Sequence, residues 1–142
     1  MEKVLVSACL LGVNCKYNGD NNYSEKIIEY LKDKEVFPIC PEQLGGLTTP
    51  RTPAEGDWDK VITEDLEDVT ANFRRGAIEV LELAKEFDIK KAVLKARSPS
   101  CGVGKIYDGS FSNKLIDGNG VCAELLIKNG IEVINSDDII NC

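Results

Sequence analysis

Six cysteines, Cys9, Cys15, Cys40, Cys101, Cys122 and Cys142, stand in a chain that has no histidine. That absence removes the usual general base near neutral pH, the usual nitrogen ligand of zinc, and every Ser-His or Cys-His nucleophile pair. Acid-base work then falls to Glu, Asp, Lys, Tyr or Cys. No two cysteines form a Cys-x-x-Cys pair, so zinc ribbons and thioredoxin-like redox motifs are excluded on spacing. What remains is thiol chemistry by residues far apart in sequence, which only a fold can bring together.

The run K-K-A-V-L-K-A-R-S-P-S-C-G-V-G-K, residues 90 to 105, places Cys101. Ala92-Val93-Leu94 reads as a strand buried in a parallel sheet. Pro99 then denies the ladder a donor, Ser98 and Ser100 offer hydroxyls, and Gly102 and Gly104 permit turns. Cys101 is thus delivered at a strand's carboxyl end. Two other runs do the same: Val4 to Leu10 carries Cys9, and Val36-Phe37-Pro38-Ile39 ends on Cys40 before Pro41.

The elements between them follow from periodicity. Ser24 caps a short helix with Ile27, Ile28 and Leu31 as its apolar stripe. Glu42 to Asp59 has no period, is rich in Gly, Thr and Pro, and is expected to be a long loop, with Trp58 capping the core. Val61-Ile62-Thr63 suggests a short strand. Phe73, Ala77, Val80, Leu81, Ala84 and Phe87 mark an amphipathic helix, started by Asp68 or Thr70. A small hairpin is expected at Ile106-Tyr107 and Lys114-Leu115-Ile116, then a helix bearing Cys122, Leu125 and Leu126, then a strand at Ile131 to Ile134. This order predicts an α/β fold: one Rossmann-like, doubly wound, mainly parallel sheet over residues 1–142, with helices on both faces.

In such a sheet all strand carboxyl ends share one edge, so Cys9, Cys40 and Cys101 converge there. Three thiolates without histidine select a soft metal or an iron-sulfur cluster. A structural zinc would need a fourth ligand, from Cys15 or Cys122. Against any site stands the reading of each thiol as a small hydrophobe at a strand end. Cys122, on a helix's apolar face, is structural, and Cys142 is a surface thiol.

The chain is 43% hydrophobic and 29% charged, with net charge -7, so no basic surplus exists to neutralise a nucleic-acid backbone. Three apolar residues between Lys3 and Ser7 fall short of the roughly 7–15 of an export signal. No apolar run reaches transmembrane length. A cytoplasmic location with reduced thiols is expected, with no membrane and no nucleic-acid polymer as partner.

S-A-C-L-L-G with K-Y-N-G, then C-P-E and P-R-x-P, then A-R-S-P-S-C-G, in that order along the whole chain, resemble the thiouracil desulfidase family. The resemblance implies an oxygen-sensitive [4Fe-4S] cluster held by Cys9, Cys40 and Cys101, with one iron open to take sulfur from a thiolated base or nucleoside without redox chemistry. It implies that Glu42 and Ser98 handle protons and orient substrate, and it leaves Ser100, Arg51, Asn18 and Lys95 as the expected substrate-binding set. Glu42 is expected to act in proton handling and to stand clear of the fold's stability. Cys15 is not counted as a ligand. The family pattern has Arg and Asp where this chain has Lys16 and Asn18.

Overall fold

A computed structural model describes residues 1–142. Its centre is a four-stranded parallel sheet in the order β2-β1-β5-β8, formed by Glu35–Ile39, Lys3–Ser7, Lys91–Leu94 and Glu132–Asn135. Successive β1 side chains point to opposite faces, and both faces are covered. Val4 and Val6 pack with Val93 against Ile27 and Leu31 of helix α1 (Glu25–Leu31), beside Ile139 and Ile140 at helix α5 (Ser136–Ile140). Leu5, Ala92 and Leu94 pack on the other face against α3 (Thr70–Glu86) and α4 (Val121–Lys128). The expected doubly wound sheet with helices on both faces is the observed one.

The stripe of α3 is buried at Phe73, Ala77, Val80, Leu81 and Ala84, and Asp68 Oδ1 accepts from the Thr70 amide at its start. Trp58 packs on this core and stacks under the Arg74 guanidinium, 5.2 Å from its ring centre. The hairpin is present as β6 (Lys105–Tyr107) and β7 (Leu115–Asp117), with Ile106 facing Ile116.

Three local expectations are corrected. The first strand stops at Ser7, and Ala8–Leu11 wind into a 3-10 turn closed by Gly12 in the left-handed region, so Cys9 sits on that turn beyond the strand. The stretch from Glu42 is not one long loop. Pro41–Leu44 form helix α2, and Ala54–Gly56 form β3, which pairs antiparallel with β4 (Val61–Thr63). Pro41 pre-sets the first helical residue, but four residues are too few to show a period. In α1, Ile27 and Leu31 are buried while Ile28, one residue off their stripe, is exposed.

Candidate functional site

The carboxyl edge of the sheet opens into a cavity of about 320 Å³. In a sheet of this winding the strand order reverses beside β1, and the crevice outside the strand ends there is the natural ligand position. The loop after β1 contributes Cys9 and Cys15, the junction of β2 and α2 contributes Cys40 and Glu42, and the loop after β5 contributes Lys95 to Cys101. Cys9, Cys40 and Cys101 therefore meet, and Cys15 joins them, buried in the same wall.

Each thiol has its own charge environment. The Cys15 thiol beside Cys9 lowers the Cys9 pKa to about 6, with Asn22 and Lys95 helping and burial opposing. Cys40 is lowered to about 7, again first by Cys15, then by the Gln43 amide and Arg51. Cys15 takes the opposite share and is raised, chiefly by Cys40 and Cys9. Burial pushes Cys101 up to about 12 despite the hydroxyls of Ser7 and Ser100. Cys9 and Cys40 are thus the thiols that ionise most readily, and Cys15 and Cys101 hold their protons.

Across the cavity runs a chain of polar contacts. Arg51 Nε donates to Glu42 Oε1 at 3.1 Å, and Ser100 Oγ donates to Glu42 Oε2 at 3.0 Å. Ser98 Oγ lies 3.0 Å from Ser100 Oγ and accepts from the backbone amides of Ser100 and Cys101, which curls the S-P-S-C loop about that hydroxyl. The side chains of Arg51 and Glu42 are 8% and 15% exposed, so the carboxylate is braced by the fold. The expectation that Glu42 stands clear of the fold does not hold.

Each guanidinium nitrogen of Arg51 has a partner inside the protein. Its Nη1 donates to Thr49 Oγ1 and the Thr48 carbonyl, and its Nη2 donates to the Cys15 carbonyl at 2.8 Å. The Lys95 amide donates to Ser7 Oγ, its ammonium to the Ala96 carbonyl, and burial first, then Arg97, lowers its pKa. Asn18 does not line the cavity; its side chain accepts from the Asp20 amide and closes its own exposed turn, while Asn22 and Tyr17 occupy that wall.

Sequence reasoning weighed Cys15 and set it aside as a ligand, and it missed Arg97, Tyr17 and Tyr107 as lining residues. Arg97 and Tyr17 adjoin the S-P-S-C and K-Y-N-G fragments and could have been drawn from them. Tyr107 carried no local signal, because only the hairpin's return over the sheet edge brings it in.

Residues 4–138 match the family model described as 2-thiouracil desulfurase. The chain belongs to that family. It is 43% identical over 146 residues to the uncharacterised protein YbbK of Bacillus subtilis (strain 168), covering 96% of this chain and 97% of that one. Among solved structures, it matches the [4Fe-4S]-dependent thiouracil desulfidase TudS (DUF523Vcz) at a TM-score of 0.91 and 42% identity, over 98% of this chain and 93% of the other. Similarity of that extent makes family membership a property of the whole sheet edge and not of one motif.

Proposed function

We propose that this chain is a desulfidase that replaces sulfur by oxygen on a thiolated nucleobase, nucleoside or related C=S compound, in the manner of 2-thiouracil to uracil. The observation that carries this reading is the meeting of Cys9, Cys40 and Cys101 in one cavity whose wall holds the Glu42–Ser100 pair. The donor set suits a [4Fe-4S] cluster held by those three thiols. Cluster ligands serve separate irons, so they need not close on one point as the ligands of a single ion do. When bound, such a cluster with one open iron supplies a soft Lewis acid for a soft sulfur.

The chain's own residues supply the rest. Water adds to the C=S carbon and hydrogen sulfide leaves, so carbon keeps its oxidation state and no electron donor is needed. Glu42 takes the proton of the attacking water, with its carboxylate oriented by Arg51 on one oxygen and by the Ser100 hydroxyl on the other. Ser98, aligned with Ser100, passes or holds a proton at the ring edge. Arg51 acts through Glu42, with four of its five guanidinium N–H groups held by the protein. Lys95 puts a cation beside Cys9. The six unpaired cysteines fit a reducing compartment, the cytoplasm, and no helix is long and apolar enough to cross a membrane. With net charge -7, the substrate is a small molecule and not a nucleic-acid polymer.

A second reading has one observation in its favour. The buried Cys15 offers a fourth thiol, which would make a four-thiolate carrier without turnover. The deciding assay incubates anaerobically reconstituted protein with 2-thiouracil in buffer and quantifies uracil and sulfide. Equal amounts of both without a reductant are expected. Product that forms only with a reductant overturns the hydrolytic scheme, and an intact cluster that turns over no thiolated base makes the carrier reading the better one.

A further inference from the structure

The corner between β8 and α5 grips the loop that carries Ser98, Ser100 and Cys101. Asn135 Nδ2 donates to the Val103 carbonyl at 3.2 Å, and Ser136 Oγ, fully buried, accepts from the Ala96 amide at 3.0 Å. Asp137 takes the Arg97 guanidinium in an ion pair through Nη1. Arg97 itself stands at φ 64, a left-handed conformation that disfavours any residue with a Cβ, and it is bridged to Ile106. A non-glycine residue kept there by neighbours on every side is a constraint maintained against local preference, and what it fixes is the direction of the Arg97 side chain. Arg97 is one of the residues that line the cavity, and its side chain is 38% exposed. Arg51 in the same cavity has every guanidinium nitrogen engaged, but Arg97 gives only Nη1 to the protein and keeps Nε and Nη2 as donors.

We propose that Arg97 reads an acceptor oxygen on the substrate heterocycle, aimed by Asp137 as its positioning residue. The inference rests on the desulfidase reading and adds a substrate requirement to it: an oxo group on the ring in addition to the thiocarbonyl. Guanidinium N–H groups prefer a hard oxygen acceptor, and the thiol end of the cavity prefers soft sulfur, so the two ends impose one orientation on a ring that carries both atoms.

The test pairs 2-thiouracil with pyrimidine-2-thione, which keeps the C=S group and lacks the oxo group. Anaerobic dissociation constants from equilibrium dialysis and KM and kcat for both are measured on cluster-loaded protein. Arg97→Gly removes the side chain while suiting the left-handed backbone, Asp137→Asn removes the aiming charge, and Asp137→Glu is the conservative rescue. Wild type should prefer 2-thiouracil. Arg97→Gly and Asp137→Asn should weaken 2-thiouracil binding by about tenfold or more, leave pyrimidine-2-thione binding within about twofold, keep iron content, and so collapse the preference. Asp137→Glu should restore most of it. Equal losses on both compounds would make the pair a loop brace only, and an unchanged preference in Arg97→Gly would remove Arg97 from recognition; either overturns the inference and leaves the desulfidase reading standing. Wild type that neither binds nor converts any thiolated base removes both.

Discussion

Glu42 holds two positions at once, because the carboxylate that would move a proton is also the counter-charge of a nearly buried arginine. Glu42→Gln is isosteric but leaves Arg51 without that charge, so it should abolish turnover and also lower stability, by about 1–3 kcal/mol for a partly buried pair that keeps its other hydrogen bonds. Adding Arg51→Met should recover much of the stability and none of the turnover. Double-mutant denaturation curves with parallel kinetics check this, and turnover surviving in Glu42→Gln would take Glu42 out of the chemistry. The thiols make a separate prediction about the cluster-free chain. Cys9, lowered to about 6, and Cys40, lowered to about 7, should be alkylated by iodoacetamide at pH 7, with Cys9 losing reactivity only as pH falls through about 6 and Cys40 sooner. Cys101, pushed up to about 12, should resist throughout. Peptide mass spectrometry reads all three, and preferential labelling of Cys101 would refute this assignment of charge.

Helix α2 shows how a short element can govern the site. It is packed so closely on α3 that a Cβ on Gly76 would lie 1.8 Å from the Pro41 carbonyl oxygen, and one on Gly45 would lie 2.0 Å from the Asn72 carbonyl oxygen. Gly76→Ala must push α2 outward. It should cost about 1–3 kcal/mol as an overpacked contact and reduce turnover, because the first turn of α2 carries Glu42 and its cap is Cys40. A wild-type melting temperature in Gly76→Ala would show that the two helices part freely. This element also marks where the sequence stopped being legible. The parallel strands and α3 announce themselves through apolar runs and a long period, and three strand-end thiols follow from the edge rule of parallel sheets. Helix α2 has no period to read at four residues. Asn18 sits between Tyr17 and Gly19 in a fragment that reaches the cavity, yet its own turn turns it away. The brace from Asn135 to Asp137 is silent in sequence because its partners lie some 30 to 40 residues upstream.

At the scale of the molecule, charge and cofactor binding are unevenly placed. The chain is acidic overall, yet Lys16, Arg51, Lys95 and Arg97 line the cavity with Glu42 as its one carboxylate. That focuses positive potential on the thiolates and on small acceptor-bearing ligands while the rest of the surface repels polyanions. The three proposed ligands lie on the segments that follow β1, β2 and β5, adjacent strands of one sheet, so a cluster bound there ties together segments that are remote in sequence. A group that binds the folded chain and not the unfolded one stabilises by mass action, about 2.7 kcal/mol at a hundredfold excess over Kd. For a chain of this size each kcal/mol moves the melting temperature by roughly 2–4 °C, so cluster loading should raise it by roughly 5–10 °C. Hydrogen-exchange protection should rise with it at the carboxyl ends of β1, β2 and β5, and should rise least in the β6–β7 hairpin, which pairs only with itself and an isolated bridge. Brief exposure to air that bleaches the cluster should reverse both effects. Serine at Cys9, Cys40 or Cys101 should prevent both, whereas serine at the exposed Cys142 should not. If cluster loading protects one strand end and leaves the other two unchanged, the three thiols do not share a cluster, and the sheet edge is a cavity with one local metal ligand and two bystanders.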